Sequence, residues 1–123
     1  MTTKILIVDD SALTRRTLRT ILEGAGCEVA EAEDGLAAIE RYFLEKPDVV
    51  FLDLVMRGMY GLEVLEKLRQ LDANARVIVV SADIQSSSHE LAVQTGAKGF
   101  INKPFDRAEI LAALDVAMME RSK

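Results

Sequence analysis

The sequence has no tryptophan, one cysteine, two prolines and one histidine in 123 residues, and each shortage removes a class of chemistry. A lone thiol, Cys27, cannot close an internal disulfide, so a disulfide-stapled fold is excluded and a reducing compartment, the cytoplasm, is expected. With no second cysteine nearby, Cys27 reads as a small strand residue rather than a redox group. His89 has no partner at metal-ligand spacing and reads as an exposed residue near the start of a helix. No apolar run approaches the roughly 18–20 residues that cross a bilayer, and Ile5–Val8 is too short for the hydrophobic region of a signal peptide. Positive charge is also in deficit: 15 Lys and Arg against 20 Asp and Glu leave a net charge of −5. Duplex-DNA binders need a basic face that displaces counterions. The only adjacent basic residues, Arg15-Arg16 with Arg19, have the spacing of a solvated helix face. Neither nucleic acid nor membrane is expected as a direct partner.

What remains is an ordinary globular composition, half hydrophobic and 28% charged, sized for one domain over residues 1–123 that acts through its own surface. Short apolar runs recur: Ile5-Leu6-Ile7-Val8, Cys27-Glu28-Val29-Ala30, Val49-Val50-Phe51-Leu52, Val77-Ile78-Val79-Val80 and Gly99-Phe100-Ile101. Continuous apolar runs suit strands covered on both faces of a parallel sheet. The second run, mixed with Glu28 and Glu31, belongs near an edge. Between the runs lie helical stripes: Leu18, Ile21, Leu22 and Ala25; Leu36, Ile39 and Phe43; Leu62, Leu65 and Leu68; and Ile110, Leu111, Leu114 and Met118. A weaker stretch from His89 to Thr95 offers only Leu91, Ala92 and Val93. Gly24, Gly26 and Gly96 mark helix ends, Pro47 precedes a strand, and Asp34-Gly35 marks a turn into the second helix. The alternation predicts an α/β fold with helices on both faces of a parallel sheet.

In such sheets ligands bind beyond the carboxyl ends of the strands, so the residues that follow each run matter most. Asp9 and Asp10 follow the first, Asp53 the third, Ser81 the fourth and Lys103-Pro104 the fifth. Three carboxylates brought to one rim repel one another, and a hard divalent cation with oxygen ligands relieves that repulsion. A carboxylate can attack phosphorus to form an acyl phosphate, and phosphoryl transfer is catalysed by positioning and by neutralising the transferring oxygens. A metal, the lysine and the serine hydroxyl supply one partner for each of those oxygens. Singly, each residue has a plainer reading: a helix cap for Asp9 or Asp10, a turn for Lys103-Pro104, a static core aromatic for Phe100. Jointly, at four strand ends, they point to one site.

The fragments Ile7-Val8-Asp9-Asp10-Ser11, Asp34-Gly35, Phe51-Leu52-Asp53-Leu54-Val55-Met56, Gly61, Ser81-Ala82 and Phe100-Ile101-Asn102-Lys103-Pro104-Phe105 together resemble the response-regulator receiver domain of two-component systems. The likeness covers essentially the whole chain and is greatest to stand-alone, CheY-like receivers. It implies a flavodoxin-like, doubly wound sheet of strand order 2-1-3-4-5 with five helices. It also implies that Asp53 is the phosphoacceptor, that Asp9, Asp10, Asp53 and the Val55 carbonyl hold magnesium (manganese being a substitute), and that Ser81 and Lys103 bind the phosphoryl group. Phe100 would be the aromatic whose inward rotation reports the state on the helix 4–strand 5–helix 5 face. The implied partners are a sensor histidine kinase, a downstream target protein and a phosphatase, with the chain a monomer or a phosphorylation-dependent dimer. The chain departs from the family in having Arg57 for a proline, Ser81 for a threonine and Phe100 for a tyrosine. Val55 and Asp83 occupy positions that tune phosphoryl lifetime, and valine cannot orient an attacking water, so slow unaided dephosphorylation is expected. Two other readings are an aspartate-nucleophile phosphohydrolase, which would want a second acid where Val55 stands, and a receiver-like scaffold that binds partners without phosphorylation.

Overall fold

Buried β-branched and aliphatic runs fix the strands, and the acids, hydroxyls and glycines between them fix the helix ends. The computed structural model describes residues 2–56, 58, 60–82 and 86–119, with the side chains of residues 86–89 excepted. Its elements alternate: β1 (Lys4–Val8), α1 (Ala12–Gly24), β2 (Glu28–Ala32), α2 (Gly35–Glu45), β3 (Val49–Leu52), α3 (Gly61–Leu71), β4 (Val77–Ser81), α4 (Ser86–Thr95), β5 (Gly99–Asn102) and α5 (Arg107–Met119). The strands form one five-stranded sheet in the order β2-β1-β3-β4-β5, and every neighbouring pair is parallel. This is the doubly wound order expected from the sequence, with β2 at an edge.

Alternation along each strand divides the apolar residues between two cores. Ile5, Ile7, Val49, Phe51, Ile78 and Val80 pack with Leu18 and Leu22 of α1 and Ile110, Leu114 and Ala117 of α5. Leu6, Val8, Val50, Leu52, Val77 and Val79 pack on the other face with Ala38 and Tyr42 of α2, Val64, Leu65 and Leu68 of α3, and Ala92 of α4. Fully burying one such aliphatic side chain contributes roughly 1.5–3 kcal/mol. A sheet clamped from both sides is a rigid platform, and its rim is where the polar residues emerge.

Local signals set the helix starts. Ser11 caps α1 by accepting from the Thr14 amide at 3.2 Å, and Asp34 caps α2 by accepting from the Ala37 amide at 2.8 Å. The Asp34-Gly35 turn is therefore the cap and first residue of α2. Tyr60 gives α3 no side-chain cap; there the Gly61 amide donates to the Leu54 carbonyl at 2.8 Å.

Several helix faces differ from the sequence reading. In α2 the buried residues are Ala38 and Tyr42, while Leu36 is 73% and Phe43 52% exposed, and only Ile39 of the expected stripe packs on the core. The tyrosine wins the buried position because its hydroxyl donates to Asp72 Oδ2 at 2.7 Å across α3's C-terminus, which meets the polar demand that would otherwise oppose burial. In α4, Leu91 and Val93 are exposed and Ala92 alone of the three is buried. Ala25 is an exposed C-cap of α1, and Cys27 lies just before β2 rather than inside it.

The Tyr42–Asp72 bond has a pH signature. Donation from Tyr42, then from the Asn74 amide, holds the Asp72 carboxyl below its ordinary value. A depressed acid stabilises the fold above its unfolded pKa, and that contribution is lost as pH falls through the folded value. Tyr42→Phe is expected to cost about 1 kcal/mol at neutral pH. The gap from wild type should narrow in acid, as measured by urea unfolding at both pH values.

Candidate functional site

The carboxyl ends of β1, β3, β4 and β5 deliver Asp9, Asp53, Ser81 (the last residue of β4) and Lys103 to one rim of the sheet. Asp9 and Asp53 are only 2% and 6% exposed, and Ser81 is fully buried. Backbone bonds hold the strand ends in register: the Asp53 amide donates to the Val8 carbonyl at 2.9 Å, and the Lys103 amide to the Ser81 carbonyl at 2.9 Å. The peptide between Lys103 and Pro104 is cis.

Lys103 binds the two buried acids together. Its Nζ donates to Asp9 Oδ2 at 2.8 Å and to Asp53 Oδ2 at 3.3 Å. Asp9 Oδ1 accepts from the Ser11 amide at 2.8 Å, and Asp53 Oδ1 from the Val55 amide at 3.2 Å. The Ser81 hydroxyl favours the charged form of the Asp53 carboxylate. Asp10 is exposed, yet Asp9, Asp10 and Asp53 each present an oxygen within 4.8 Å of the others.

Electrostatics follow from this crowding. Burial raises the Asp53 carboxyl above its ordinary value; the Lys103 charge opposes, Asp9 adds to the rise, and the Val55 amide and Ser81 hydroxyl oppose it. Burial alone would lower Lys103, but the bond to Asp9 and the charges of Asp53 and Asp9 outweigh it and raise the ammonium above its usual value. A nearly buried carboxylate thus sits beside a firmly held positive charge and two further acids. An all-oxygen donor set of three close carboxylates fits a hard divalent cation such as magnesium.

A model of the response regulator receiver domain family matches residues 5–115. The chain belongs to that family. This receiver is 45% identical over 116 residues to the chemotaxis protein CheY of Bacillus subtilis, covering 94% of this chain and 97% of that protein. Among solved structures it resembles a CheY-like receiver domain protein from Methanospirillum hungatei, with a TM-score of 0.92, 25% identity and full coverage of both chains. It also resembles the structure of a CheX–CheY–BeF3–Mg complex from Borrelia burgdorferi, with a TM-score of 0.91 and 35% identity over 94% of this chain and 89% of that one. This receiver is accordingly a two-component signalling domain homologous to CheY, of the class switched by phosphorylation.

The structure brings Asp9, Asp10, Asp53, Ser81 and Lys103 of this receiver together, with the Val55 side chain exposed beside them. Phe100 is half-buried on β5, against the core shared with α3 and α4. Asp83, Arg57 and the His89 side chain lie outside the described residues.

Sequence reading misjudged one group here. Arg15 and Arg19 are not a free solvated face: Arg15 Nε donates to Glu31 Oε1 at 2.9 Å and Arg19 Nε to Glu31 Oε2 at 2.6 Å. Arg15 Nη1 also donates to the Asp9 carbonyl at 2.7 Å. Arg16 alone of the three is exposed. The available signal was the pairing of an acid on the edge strand with two arginines four apart on one helix.

Proposed function

We propose that this receiver is switched when Asp53 accepts a phosphoryl group from a sensor histidine kinase, with magnesium held by Asp9, Asp10, Asp53 and the Val55 carbonyl. The observation that carries the reading is the sharing of one ammonium, Lys103, by Asp9 and Asp53, with Asp10 oxygen close by. Bound at these oxygens, the cation would neutralise one transferring oxygen and offset repulsion among the acids, and manganese suits the same donors.

The chain's own residues do the rest. An Asp53 oxygen attacks phosphorus, the bond from phosphorus to the donor imidazole nitrogen breaks, and its electron pair stays on the imidazole. Lys103 turns from the carboxylates to a second phosphoryl oxygen, and the Ser81 hydroxyl donates to a third. Movement of Ser81 frees space at the end of β4, and Phe100, paired in register with Val79 on that strand, rotates toward it and alters the α4–β5–α5 surface. That surface is read by a downstream protein or a second copy of the chain. The protein is a phosphoacceptor that assists its own transfer and dephosphorylation, the latter slow because valine at position 55 cannot orient an attacking water by hydrogen bonding; Asp83 is the second position that tunes the lifetime, by orienting a water or by repelling an incoming anionic donor. The Borrelia relative supports this reading, since its structure holds magnesium and a beryllofluoride, whose tetrahedral shape stands in for a phosphoryl group, together with a second protein. Likeness to CheY supports a cytoplasmic, chemotaxis-type pathway.

The test is incubation with magnesium and acetyl phosphate, followed by intact-mass and peptide mapping. A gain of one phosphoryl group on the Asp53 peptide, absent when EDTA is present from the start of the incubation, is expected. No gain, or a gain elsewhere in the chain, would sink the proposal.

A further inference from the structure

We propose that Arg15 is a positioning residue for the acid pair, setting the orientation of Asp10 and so the affinity of the site for a divalent cation; this rests on the magnesium site proposed above. Of the three acids, two are fixed by their own side-chain bonds. Asp9 is held by Lys103 and the Ser11 amide, and Asp53 by Lys103 and the Val55 amide. Asp10 is exposed and makes no hydrogen bond or ion pair of its own among the described residues. Its direction is therefore set by the peptide that joins it to Asp9.

That peptide is held by Arg15. Its carbonyl accepts from Arg15 Nη1 at 2.7 Å, while the Asp9 amide donates to the Ala32 carbonyl at 3.2 Å. Arg15 is gripped at its other edge by Glu31, whose second oxygen is taken by Arg19, which in turn reaches Glu23 at 2.8 Å. The Arg15 side chain is only 14% exposed. A planar guanidinium tied at Nε and Nη1 has little freedom left, and a lysine, a point charge on a flexible stem, cannot reproduce both contacts. Arg15 and Asp10 also line the same surface depression, with Ala12, Glu33 and Asp34.

Charge and geometry act in opposite directions, which makes the two roles separable. Removing a nearby positive charge favours cation binding, whereas loosening the Asp9–Asp10 peptide weakens it. Groups that orient metal ligands typically contribute 10–100-fold in affinity. The experiment is calorimetric titration of wild type, R15K and R15M with magnesium, with thermal unfolding recorded for each. R15K keeps the charge and loses the fork, so its magnesium Kd reports geometry; about a tenfold weakening is expected, with R15M also weaker than wild type. An R15K protein that binds as tightly as wild type, or an R15M protein that binds more tightly, would reduce Arg15 to a clamp between α1 and β2 and overturn the inference. Should R15M fail to fold, R15K decides it, since it keeps the charge and loses the fork. Wild type that binds no magnesium would overturn the metal site itself, a result distinct from equal affinities across the series.

Discussion

Asp53→Asn is expected to take up no phosphoryl group from acetyl phosphate, and at the same time to unfold at a higher temperature than wild type. The first effect is chemical: an amide oxygen is a poor nucleophile toward phosphorus and cannot form the acyl phosphate. The second follows from burial. The folded pKa of Asp53 lies above its unfolded value, with burial the largest cause. Between those two values the folded state holds more protons than the unfolded chain, so stability falls as pH rises through that window and the full penalty persists above it. Asparagine removes the charge and the penalty with it. A higher Tm is expected at neutral pH in the absence of divalent ions. The same substitution should blunt the stabilisation that magnesium gives wild type. A mutant that still gains phosphate mass would mean the acceptor lies elsewhere; one that is less stable than wild type would mean the carboxylate's contacts outweigh its burial.

Gly61→Ala is expected to destabilise the fold strongly. A Cβ at Gly61 would collide with the Asp53 carbonyl oxygen and the Leu54 Cα. Both are backbone atoms of the segment that carries Asp53, so neither can swing aside as a side-chain tip would. Relief requires α3 to back away from β3, which breaks the Gly61–Leu54 hydrogen bond and pulls the buried Val64, Leu65 and Leu68 off the sheet. Overpacking of this kind costs about 2–4 kcal/mol, a fall of roughly 10 °C in Tm for a domain of this size. Because the collision bears on the Asp53 peptide, phosphorylation of the fraction that remains folded should also slow. Denaturant unfolding and a labelling time course measure the two effects separately. An unchanged midpoint would show that α3 can be displaced at little cost.

How far these features can be read from the chain depends on whether their cause is local. Strand runs such as Val77–Val80 carry their own signal, since a run apolar at every position demands cover on both faces. Asp9, Asp53 and Lys103 were legible because a parallel sheet sends every strand end to one rim. The face of α2 was not: Leu36 and Phe43 are more apolar than Tyr42, and only the acceptor at Asp72, thirty positions away, makes the tyrosine the better buried residue. Arg15 failed in the same way, for its partners Glu31 and the Asp9 carbonyl are supplied by other elements. Gly61 was visible as part of a motif, but the reason for glycine there is the close passage of another stretch of backbone.

One edge of the sheet has a wider consequence. Among the described residues strand β2 pairs only with β1, which leaves the peptide groups of its outer rim able to template a foreign strand. Glu28 and Glu31 sit on that rim, and two molecules approaching rim to rim would bring like charges and a bulky arginine–glutamate cluster into contact. Crowded copies are thereby discouraged from zipping together along β2, and the opposite edge, β5, is the one left to an assembly.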